Sequence, residues 1–188
     1  MERHITVPAS QEELEILEAG DYVYLTGIIY TARDAAHKRM YDTLNEGKDI
    51  PVSLDGQFVY YLGPTPAKEG QVIGSAGPTT SSRMDKYTPL MLEQGLKGMI
   101  GKGKRSLEVI KAIKKNKAVY FAAVGGAGAL LSKCIKEAEV IAYDDLGTEA
   151  IRKLHIENFP VIVVIDSKGK NLYETAVNDF KEKMSLDK

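Results

Sequence analysis

The sequence predicts an α/β fold, in the form of a layered domain with a mixed sheet. In the last third of the chain, short apolar runs that favour strands alternate with segments that favour helices, which is typical of sheets with parallel strands. Nearer the front, two apolar runs follow one another without a helix between them, so a purely doubly wound sheet is not expected. With 188 residues, 44% of them hydrophobic, the chain can bury one core without a disulfide or metal staple.

The elements of the first two thirds follow from capping signals and from the spacing of apolar residues. Ser10 and Glu13 form a capping box that opens a helix, which we expect to run to about residue 18 and to stop at Gly20. The remaining pattern predicts, in order, a strand at 21–30, a helix at 33–45, strands at 58–62 and 72–75, a helix near 83–93, a strand near 97–100 and a helix near 107–115.

The last third shows the alternation most clearly. It predicts a strand at 118–124, a glycine turn, a helix at 130–138, a strand at 140–143, a short helix at 148–154 and a strand at 161–165. A turn at 166–169 follows the last of these strands. We expect one domain over 1–177 and a charged C-terminal tail over 178–188.

Composition excludes several classes of protein. The chain has 25 Lys and Arg against 26 Asp and Glu, which excludes a strongly basic nucleic-acid-binding protein. Its single cysteine can form no internal disulfide and cannot ligate a metal cluster alone. No segment approaches the ~20 apolar residues of a membrane span, and no apolar signal region follows Met1. We therefore expect a cytoplasmic protein that binds neither nucleic acid nor membrane.

The use of arginine singles out three segments. The chain has 19 lysines and six arginines, and four of the arginines lie in Thr31–Arg39, Gly77–Asp85 and Gly101–Ser106. A guanidinium can bind a carboxylate or phosphate through two parallel hydrogen bonds, whereas lysine is sufficient for solvation. The three segments are therefore candidates for binding an anion.

The second segment has the most specific pattern. Gly77-Pro78 is followed by four hydroxyl residues and then by Arg83, ahead of a predicted helix. One hydroxyl would be enough to cap that helix, and Ser82 with Asp85 could form a variant capping box. Four hydroxyls and an arginine at the start of a helix favour a cradle for an anion instead.

The other two segments add further cations. Arg33 is expected in the first turn of its helix, where a cation opposes the helix dipole, and His37 one turn later is interpreted as a structural or surface histidine. The third segment offers three cations on a glycine turn, Lys102, Lys104 and Arg105, without the spacing of a Walker A loop.

The turn at Val124–Leu131 supports a rival hypothesis, a non-catalytic nucleotide- or anion-binding module. A strand, a glycine turn, a helix and then Asp144-Asp145 resemble a dinucleotide-binding fingerprint. The pattern fails at Leu131, where a third glycine or an alanine is required, so a tight packing turn is preferred. Cys134, in the helix predicted next, is interpreted as a small buried apolar residue.

Together, the three cationic segments resemble the β subunit, or C-terminal region, of class I iron–sulfur fumarate hydratases and of the related L-tartrate dehydratases. The most specific string is Gly77-Pro78-Thr79-Thr80-Ser81-Ser82-Arg83-Met84-Asp85. The glycine turn at 125–128 and the run from 140 to 161 are also similar, so the resemblance covers nearly the whole chain.

This resemblance implies a swivelling β/β/α domain and the reversible hydration of fumarate to (S)-malate on a [4Fe–4S] cluster, whose open iron is the Lewis acid. It implies that an α partner, in an α2β2 assembly, holds the cluster and supplies the general acid. This chain would then bind no cofactor and be inactive alone. Arg33, Arg83 and Lys102 match the family's substrate carboxylate-binding residues, and Thr79 matches its proposed catalytic base.

The third segment bears on the choice of substrate. The string Lys102-Gly103-Lys104-Arg105 favours fumarate, because the related tartrate dehydratases tend to have a glycine-rich turn without that arginine. Conversion of tartrate to oxaloacetate stays open as the alternative. An iron–sulfur cluster needs several cysteine thiolates, and the chain has one. We therefore expect this chain to supply only part of an active site that it shares with a partner.

Overall fold

The computed structural model of the chain describes residues 1–123 and 128–175. Its strands are β1 (Glu2–Val7), β2 (Tyr22–Thr31), β3 (Phe58–Tyr60), β4 (Gly98–Gly101), β5 (Val119–Ala123), β6 (Ile135–Ala142) and β7 (Ile151–Ile165). Its helices are α1 (Gln11–Glu15), α2 (Asp34–Asn45), α3 (Thr88–Glu93), α4 (Leu107–Asn116) and α5 (Gly128–Lys133), with 3-10 turns at Ser81–Met84 and Asp144–Glu149.

Four parallel strands form the centre of the sheet, and a long antiparallel strand closes it. β2, β3, β4 and β5 lie side by side in that order and run parallel. β7 pairs antiparallel with both β5 and β2, so these five strands form a barrel-like closed sheet. β1 lies parallel to β2, and β6 lies antiparallel to β7. The predicted mixed α/β architecture is confirmed, and the swivelling β/β/α type stays a prediction.

Apolar clusters cover both faces of this sheet. Phe58, Tyr60 and Phe121 belong to one cluster, which also contains the buried leucines of the α1 region. Val59 and Tyr120, their sequence neighbours, belong to the other cluster, with apolar residues of α2, α3 and α4. Successive side chains of a strand point to opposite faces. Burial on both faces explains why the central strands appear in the sequence as continuous apolar runs.

Local signals set the first helix, and a proline divides a later one. Ser10 Oγ accepts from the Glu13 amide while the Glu13 carboxylate accepts from the Ser10 amide, so the capping box is confirmed. That helix ends at Glu15, earlier than predicted. The single helix predicted near 83–93 is a 3-10 turn followed by α3, in which Pro89 lies in the first turn. Proline lacks an amide proton and is tolerated there but not inside a continuous helix.

Residues 72–75 form a loop, and the strand predicted there is wrong. A Cβ added to Gly74 would lie 2.1 Å from the carbonyl oxygen of Thr65, so this glycine packs directly against the main chain. Ser75 continues the contact, since its amide donates to Thr65 Oγ1 at 2.8 Å. The segment therefore folds back on the loop before it instead of joining the sheet.

Of two helices predicted in the last third, one is shorter than predicted and the other is wrong. The helix expected at 130–138 ends at Lys133, and the residues from Ile135 onward pair with β7. Most of the segment expected as a helix at 148–154 belongs to β7, which begins at Ile151. In both places, pairing across the sheet overrides a local pattern that also fits a helix.

Some predictions lie where the structure makes no statement. Residues 124–127 of the glycine turn, and the tail predicted at 178–188, lie outside the described residues. The division into a domain over 1–177 and a tail stays a prediction. Across 1–123 and 128–175, no helix combines the length and the apolarity needed to cross a membrane.

Candidate functional site

The carboxyl ends of three parallel strands meet at one edge of the sheet, and the predicted site residues lie at this edge. Arg33 lies just beyond β2, and Lys102 directly follows β4. Between them, the Thr79 amide donates to the carbonyl of Tyr61, which directly follows β3, at 2.8 Å. Ligands commonly bind at this edge of parallel sheets. The fold therefore brings all three segments to one edge, which we call the rim.

Arg33 is held at the rim by the start of α2 and by a glycine opposite it. It is the N-cap residue of α2, with extended backbone, one position earlier than the predicted first turn. Its Nε lies 3.2 Å from Glu149 Oε1, and its side chain is 22% exposed. A Cβ at Gly63 would lie 2.8 Å from both Cδ and Nη1 of Arg33. The absence of a side chain at Gly63 therefore leaves room for this guanidinium.

Asp34 connects two of the predicted carboxylate-binding residues. Arg83 Nε donates to Asp34 Oδ1 at 2.7 Å, and Arg33 Nε lies 3.5 Å from Asp34 Oδ2. The Arg83 side chain is 51% exposed, so its ion pair is accessible to solvent. The two arginines are thus brought together around one carboxylate, that of Asp34, for which the motifs gave no site role.

The second and third segments form one unit through their main chains. Thr80 and Lys102 form a parallel bridge, and the Ser81 amide donates to the Lys102 carbonyl at 2.9 Å. The Lys102 amide in turn donates to Ser81 Oγ at 3.0 Å. Both peptide groups of Lys102 are therefore fixed, while its side chain is exposed.

The hydroxyl cradle predicted over 79–82 is only partly available to a ligand. The Ser81 side chain is fully buried, and the amides of Thr79 and Ser81 donate to main-chain carbonyls. Thr79 is half-buried at the rim, whereas Thr80 and Ser82 are exposed. The hydroxyls able to meet a ligand are therefore those of Thr79, Thr80 and Ser82, and the role of Thr79 as a base stays a prediction.

Arg105 faces the core, which corrects the expectation of three cations on the third turn. Its side chain is 0% exposed and its Nε lies 2.6 Å from Asp85 Oδ1. One Nη donates to Thr88 Oγ1 at 2.8 Å, and the guanidinium lies over the Tyr61 ring at 5.3 Å from its centre. Lys102 and Lys104 are the exposed cations of this turn. Arg105 therefore cannot contact substrate directly, which removes that basis for choosing fumarate over tartrate.

Asp85 has a different partner from the one that a capping box requires. The 3-10 turn at 81–84 is preceded by Thr80, without a side-chain cap. Asp85 accepts from Arg105 through one oxygen, and its other oxygen accepts from the Ser106 amide at 2.7 Å. The alternative of a Ser82–Asp85 capping box is therefore wrong, because Asp85 instead connects the second segment to the third.

Two other residues of the first segment have structural partners. His37 is buried, its Nδ1 lies 2.9 Å from the Arg33 carbonyl, and burial lowers its pKa to about 4. Its ring is neutral near pH 7, which agrees with the structural interpretation. Arg39 makes a bidentate pair with the carboxylate of Asp145 at 2.8 and 2.7 Å. This exposed pair occupies the guanidinium fork of Arg39.

The rim presents more positive than negative charge to a small anion. Arg33, Arg83 and Lys102 are its cations, and Asp34 and Glu149 are the carboxylates beside the two arginines. Arginine forks bind carboxylates through paired hydrogen bonds, and lysine acts as a point charge. This arrangement can hold a dianion whose two charged ends are separated.

The described residues do not fit an iron–sulfur cluster. Across 1–123 and 128–175, no group of three His, Cys, Asp or Glu side chains is placed to hold a metal ion. Cys134 is the single cysteine of the sequence, and burial raises the pKa of its thiol. Its sulfur lies 3.8 Å from the Asn158 carbonyl. A cluster would have to be held by residues other than these.

The chain is similar in sequence to fumarate hydratases and to a protein named as a tartrate dehydratase subunit. The chain is 36% identical over 165 residues to fumarate hydratase 2 of Leishmania major, covering 87% of this chain and 29% of that protein. It is 38% identical over 156 residues to the anaerobic class I fumarate hydratase of Escherichia coli, covering 82% of this chain and 28% of that protein. The chain thus spans less than a third of these two relatives.

Another relative is matched over nearly its full length. The "Putative L(+)-tartrate dehydratase subunit beta" of Methanocaldococcus jannaschii is 35% identical over 182 residues, covering 94% of this chain and 93% of that protein. The family model described as "Fumarase C-terminus" matches residues 2–176. The chain therefore belongs to the fumarase C-terminus family.

Proposed function

We propose that this chain is the β subunit of a two-subunit hydro-lyase that adds water reversibly to fumarate, giving (S)-malate. The observation that carries the proposal is the meeting of Arg33, Arg83 and Lys102 at the rim. Arg33 and Lys102 follow two strand ends and Arg83 lies in the 3-10 turn beside Lys102, and the main chains that bear them are fixed by hydrogen bonds. The chain binds and orients the dicarboxylate at this edge.

The two arginines bind substrate by exchanging partners. Arg83 is paired with Asp34, and Arg33 lies near both Asp34 and Glu149. A substrate carboxylate offers a guanidinium two parallel hydrogen bonds, which is a stronger arrangement than the single Nε contact of the Arg83–Asp34 pair. The substrate carboxylates replace these internal contacts, and Lys102 supports the second charged end.

Thr79 is the proposed base of this reaction. In the direction from malate to fumarate, its Oγ1 would take a proton from the methylene carbon, which is adjacent to the carbon that loses the hydroxyl. A neutral threonine hydroxyl is too weak a base for this step, so Thr79 would take the proton as its alkoxide and become the neutral hydroxyl. The neighbouring cations would stabilise the negative charge of that alkoxide before the transfer. Fixed anchors at both carboxylates hold that carbon in one place, as proton abstraction requires.

The remaining parts of the active site belong to the partner. A [4Fe–4S] cluster held by an α subunit supplies the Lewis acid, and the same subunit supplies the general acid. The chain alone is inactive, and the enzyme is an α2β2 assembly in the cytoplasm. The relative of matching length that is named as a subunit supports this division.

Tartrate dehydration is the second candidate. The relative that matches this chain nearly end to end is named for tartrate, and Arg105 is turned into the core. In this version the same cations hold tartrate, and the product is oxaloacetate. The non-catalytic nucleotide- or anion-binding module ranks third, because Leu131 stands where the dinucleotide fingerprint needs a glycine or an alanine, and the chain belongs to the fumarase C-terminus family.

Reconstitution tests these proposals. The chain is purified, combined with an iron–sulfur α subunit of the same family under anaerobic conditions, and assayed with fumarate, (S)-malate and tartrate. We expect activity with the pair, none with either chain alone, and a higher kcat/KM for fumarate. Higher kcat/KM for tartrate would select the second candidate, and full activity of this chain alone with a chelator present would reject both.

A calorimetric titration addresses the third candidate. NAD and ATP are titrated into the isolated chain. The hydro-lyase proposal expects no heat of binding, and micromolar binding of either nucleotide would favour the binding module.

A further inference from the structure

A buried tyrosine lies beneath the contact between the two cationic turns of the rim. Tyr120 Oη lies 2.9 Å from Ser81 Oγ and 2.8 Å from the Gly103 carbonyl oxygen. A carbonyl can only accept, so the one phenol proton serves Gly103 and the Ser81 hydroxyl donates to Tyr120. Ser81 Oγ in turn accepts from the Lys102 amide. One hydrogen-bond chain thus runs from Lys102 through Ser81 and Tyr120 to Gly103.

The surroundings of this hydrogen-bond chain leave little room for other groups to replace its hydroxyls. Tyr120 and Ser81 are both 0% exposed, and burial raises the pKa of the Tyr120 phenol, which keeps its proton in place. A Cβ at Gly101 would lie 2.0 Å from Ser81 Oγ, so the end of β4 is shaped around this hydroxyl. A buried donor or acceptor that loses its partner costs more than an exposed one.

The Arg105 guanidinium supports the tyrosine from the side. It lies over the Tyr120 ring at 4.9 Å from the centre, and it is held by Asp85 of the second segment. The ring is therefore held both by its hydroxyl and by its face. This makes Tyr120 the residue at which the second segment, the third segment and β5 meet.

We propose that Tyr120 is a positioning residue for the rim: its buried hydroxyl holds the Lys102 turn against the Thr79–Arg83 turn and so sets where the Lys102 ammonium meets the substrate, an inference that rests on the proposed function. Tyr120 itself does not touch substrate. A displacement of about 1 Å in a positioning group can reduce rates on the order of 100-fold. The Tyr120 hydroxyl therefore contributes to affinity through the placement of Lys102.

The kinetic test uses Tyr120→Phe, which removes the hydroxyl and keeps the ring. In the reconstituted enzyme we expect the KM for the dicarboxylate to rise about 10- to 100-fold, with a smaller change in kcat, because Lys102 binds substrate. The matched control is Val119→Ala, its fully buried neighbour on β5, which loses core packing without touching the rim. A KM that is unchanged, or that rises equally in the control, overturns the proposal.

A double-mutant cycle separates positioning from general loss of stability. Ser81→Ala removes the other hydroxyl of the same hydrogen-bond chain and serves alone if Tyr120→Phe does not fold. If the two residues act in series, the double variant has nearly the same KM as the worse single variant. Independent, additive effects on KM would contradict the proposal.

Amide hydrogen exchange gives a readout that does not depend on activity. In the isolated chain we expect Tyr120→Phe to raise exchange at the Lys102 amide at least about tenfold relative to amides of β7, because local opening governs it. Val119→Ala should not change that ratio, and an equal rise at both places would reject the positioning role. If the unmodified reconstituted enzyme is inactive, the proposed function fails, while the exchange ratio still decides whether Tyr120 positions Lys102.

Discussion

At the scale of single residues, exposure separates the arginines that can bind substrate from those that hold the fold. Arg83 has a side chain that is 51% exposed, and Arg105 has one that is 0% exposed, although both pair with an aspartate. An exposed ion pair contributes about 0–1 kcal/mol to stability, whereas breaking a buried one leaves an uncompensated charge. The two residues should therefore give opposite results when they are removed.

We expect Arg83→Ala to leave the fold intact and to reduce kcat/KM at least about 100-fold, because a substrate anchor is lost while the free energy of unfolding changes by less than about 1 kcal/mol. Urea denaturation and steady-state kinetics of the reconstituted enzyme measure the two effects. Arg39→Ala is the control, since Arg39 is also in an exposed ion pair but lies outside the proposed site. Large unfolding by Arg83→Ala would indicate a structural residue instead.

We expect Arg105→Leu to reduce the free energy of unfolding by about 3–5 kcal/mol, because it leaves the Asp85 carboxylate without its buried partner. Lys104→Leu, an exposed change on the same turn, should alter it by less than about 0.5 kcal/mol. Both values come from urea denaturation of the isolated chain. Equal stability of the two variants would be inconsistent with the buried ion pair.

His37 links stability to pH. Its pKa is about 4 in the folded chain, below the ordinary 6.5, because burial disfavours the charged ring. Between these values the unfolded chain binds the proton and the folded chain does not, so stability rises with pH from 4 to 6.5 and is lost as the pH falls. Across this pH range, His37 changes the free energy of unfolding by roughly 3 kcal/mol.

The measurement is the free energy of unfolding across that pH range, in the unmodified chain and in two variants. His37→Gln should remove this part of the slope, and His4→Gln, at an exposed histidine, should keep it. A slope that survives in His37→Gln would show that other groups cause it.

At the scale of elements, the loop after β3 determines the space available to the Arg33 side chain. A Cβ at Gly63 meets the end of a flexible side chain, so Gly63→Ala should displace the guanidinium rather than unfold the chain. We expect the melting temperature to change little and the KM of the reconstituted enzyme to rise severalfold. Gly77→Ala, whose Cβ would be in ordinary contact at 3.8 Å, is the control. An equal rise in KM with both variants would show that displacement of the Arg33 guanidinium is not its cause.

Prediction from the sequence succeeded at elements whose signals are local and failed where pairing across the sheet decides. The Ser10 capping box needs only neighbouring residues, and it is present as predicted. The segment from Ile135 fits a helix locally, but becomes β6 because β7 lies beside it. Residues 72–75 have a strand-like composition, yet Gly74 packs on another loop. These outcomes depend on contacts that no short window contains.

The same distinction applies to the rim. Arg33, Arg83 and Lys102 could be chosen from motifs, because each stands in a turn rich in glycine, hydroxyl or alanine residues. Tyr120 could not, because in the sequence it is one aromatic residue in a buried apolar strand. The sequence groups Arg105 with the exposed cations, because spacing carries no information about burial. The role of a hydroxyl or guanidinium within the core can be recognised only when its hydrogen-bond partners are known.

At the scale of the whole molecule, β7 joins parts of the sheet that are distant in the sequence. Phe159 on β7 is fully buried and contacts the Tyr60 ring at 5.3 Å between centres. We expect Phe159→Ala to reduce the free energy of unfolding by about 3–5 kcal/mol while unfolding stays cooperative. Leu130→Ala, at a side chain that is 58% exposed, is the control. Separate transitions for tyrosine fluorescence and far-ultraviolet circular dichroism would contradict a single cooperative unit.

The pairing of β2 with β7 also determines when the domain can be completed during synthesis. The residues of the rim leave the ribosome before β7 does, because Arg33, Arg83 and Lys102 all precede Ile151, where β7 begins. β2 can find this partner only after more than a hundred further residues have been translated, and such distant pairings form slowly. Until then, the main-chain N–H and C=O groups on this edge of β2 are unpaired and can pair with other chains, so aggregation is a hazard until β7 has been made.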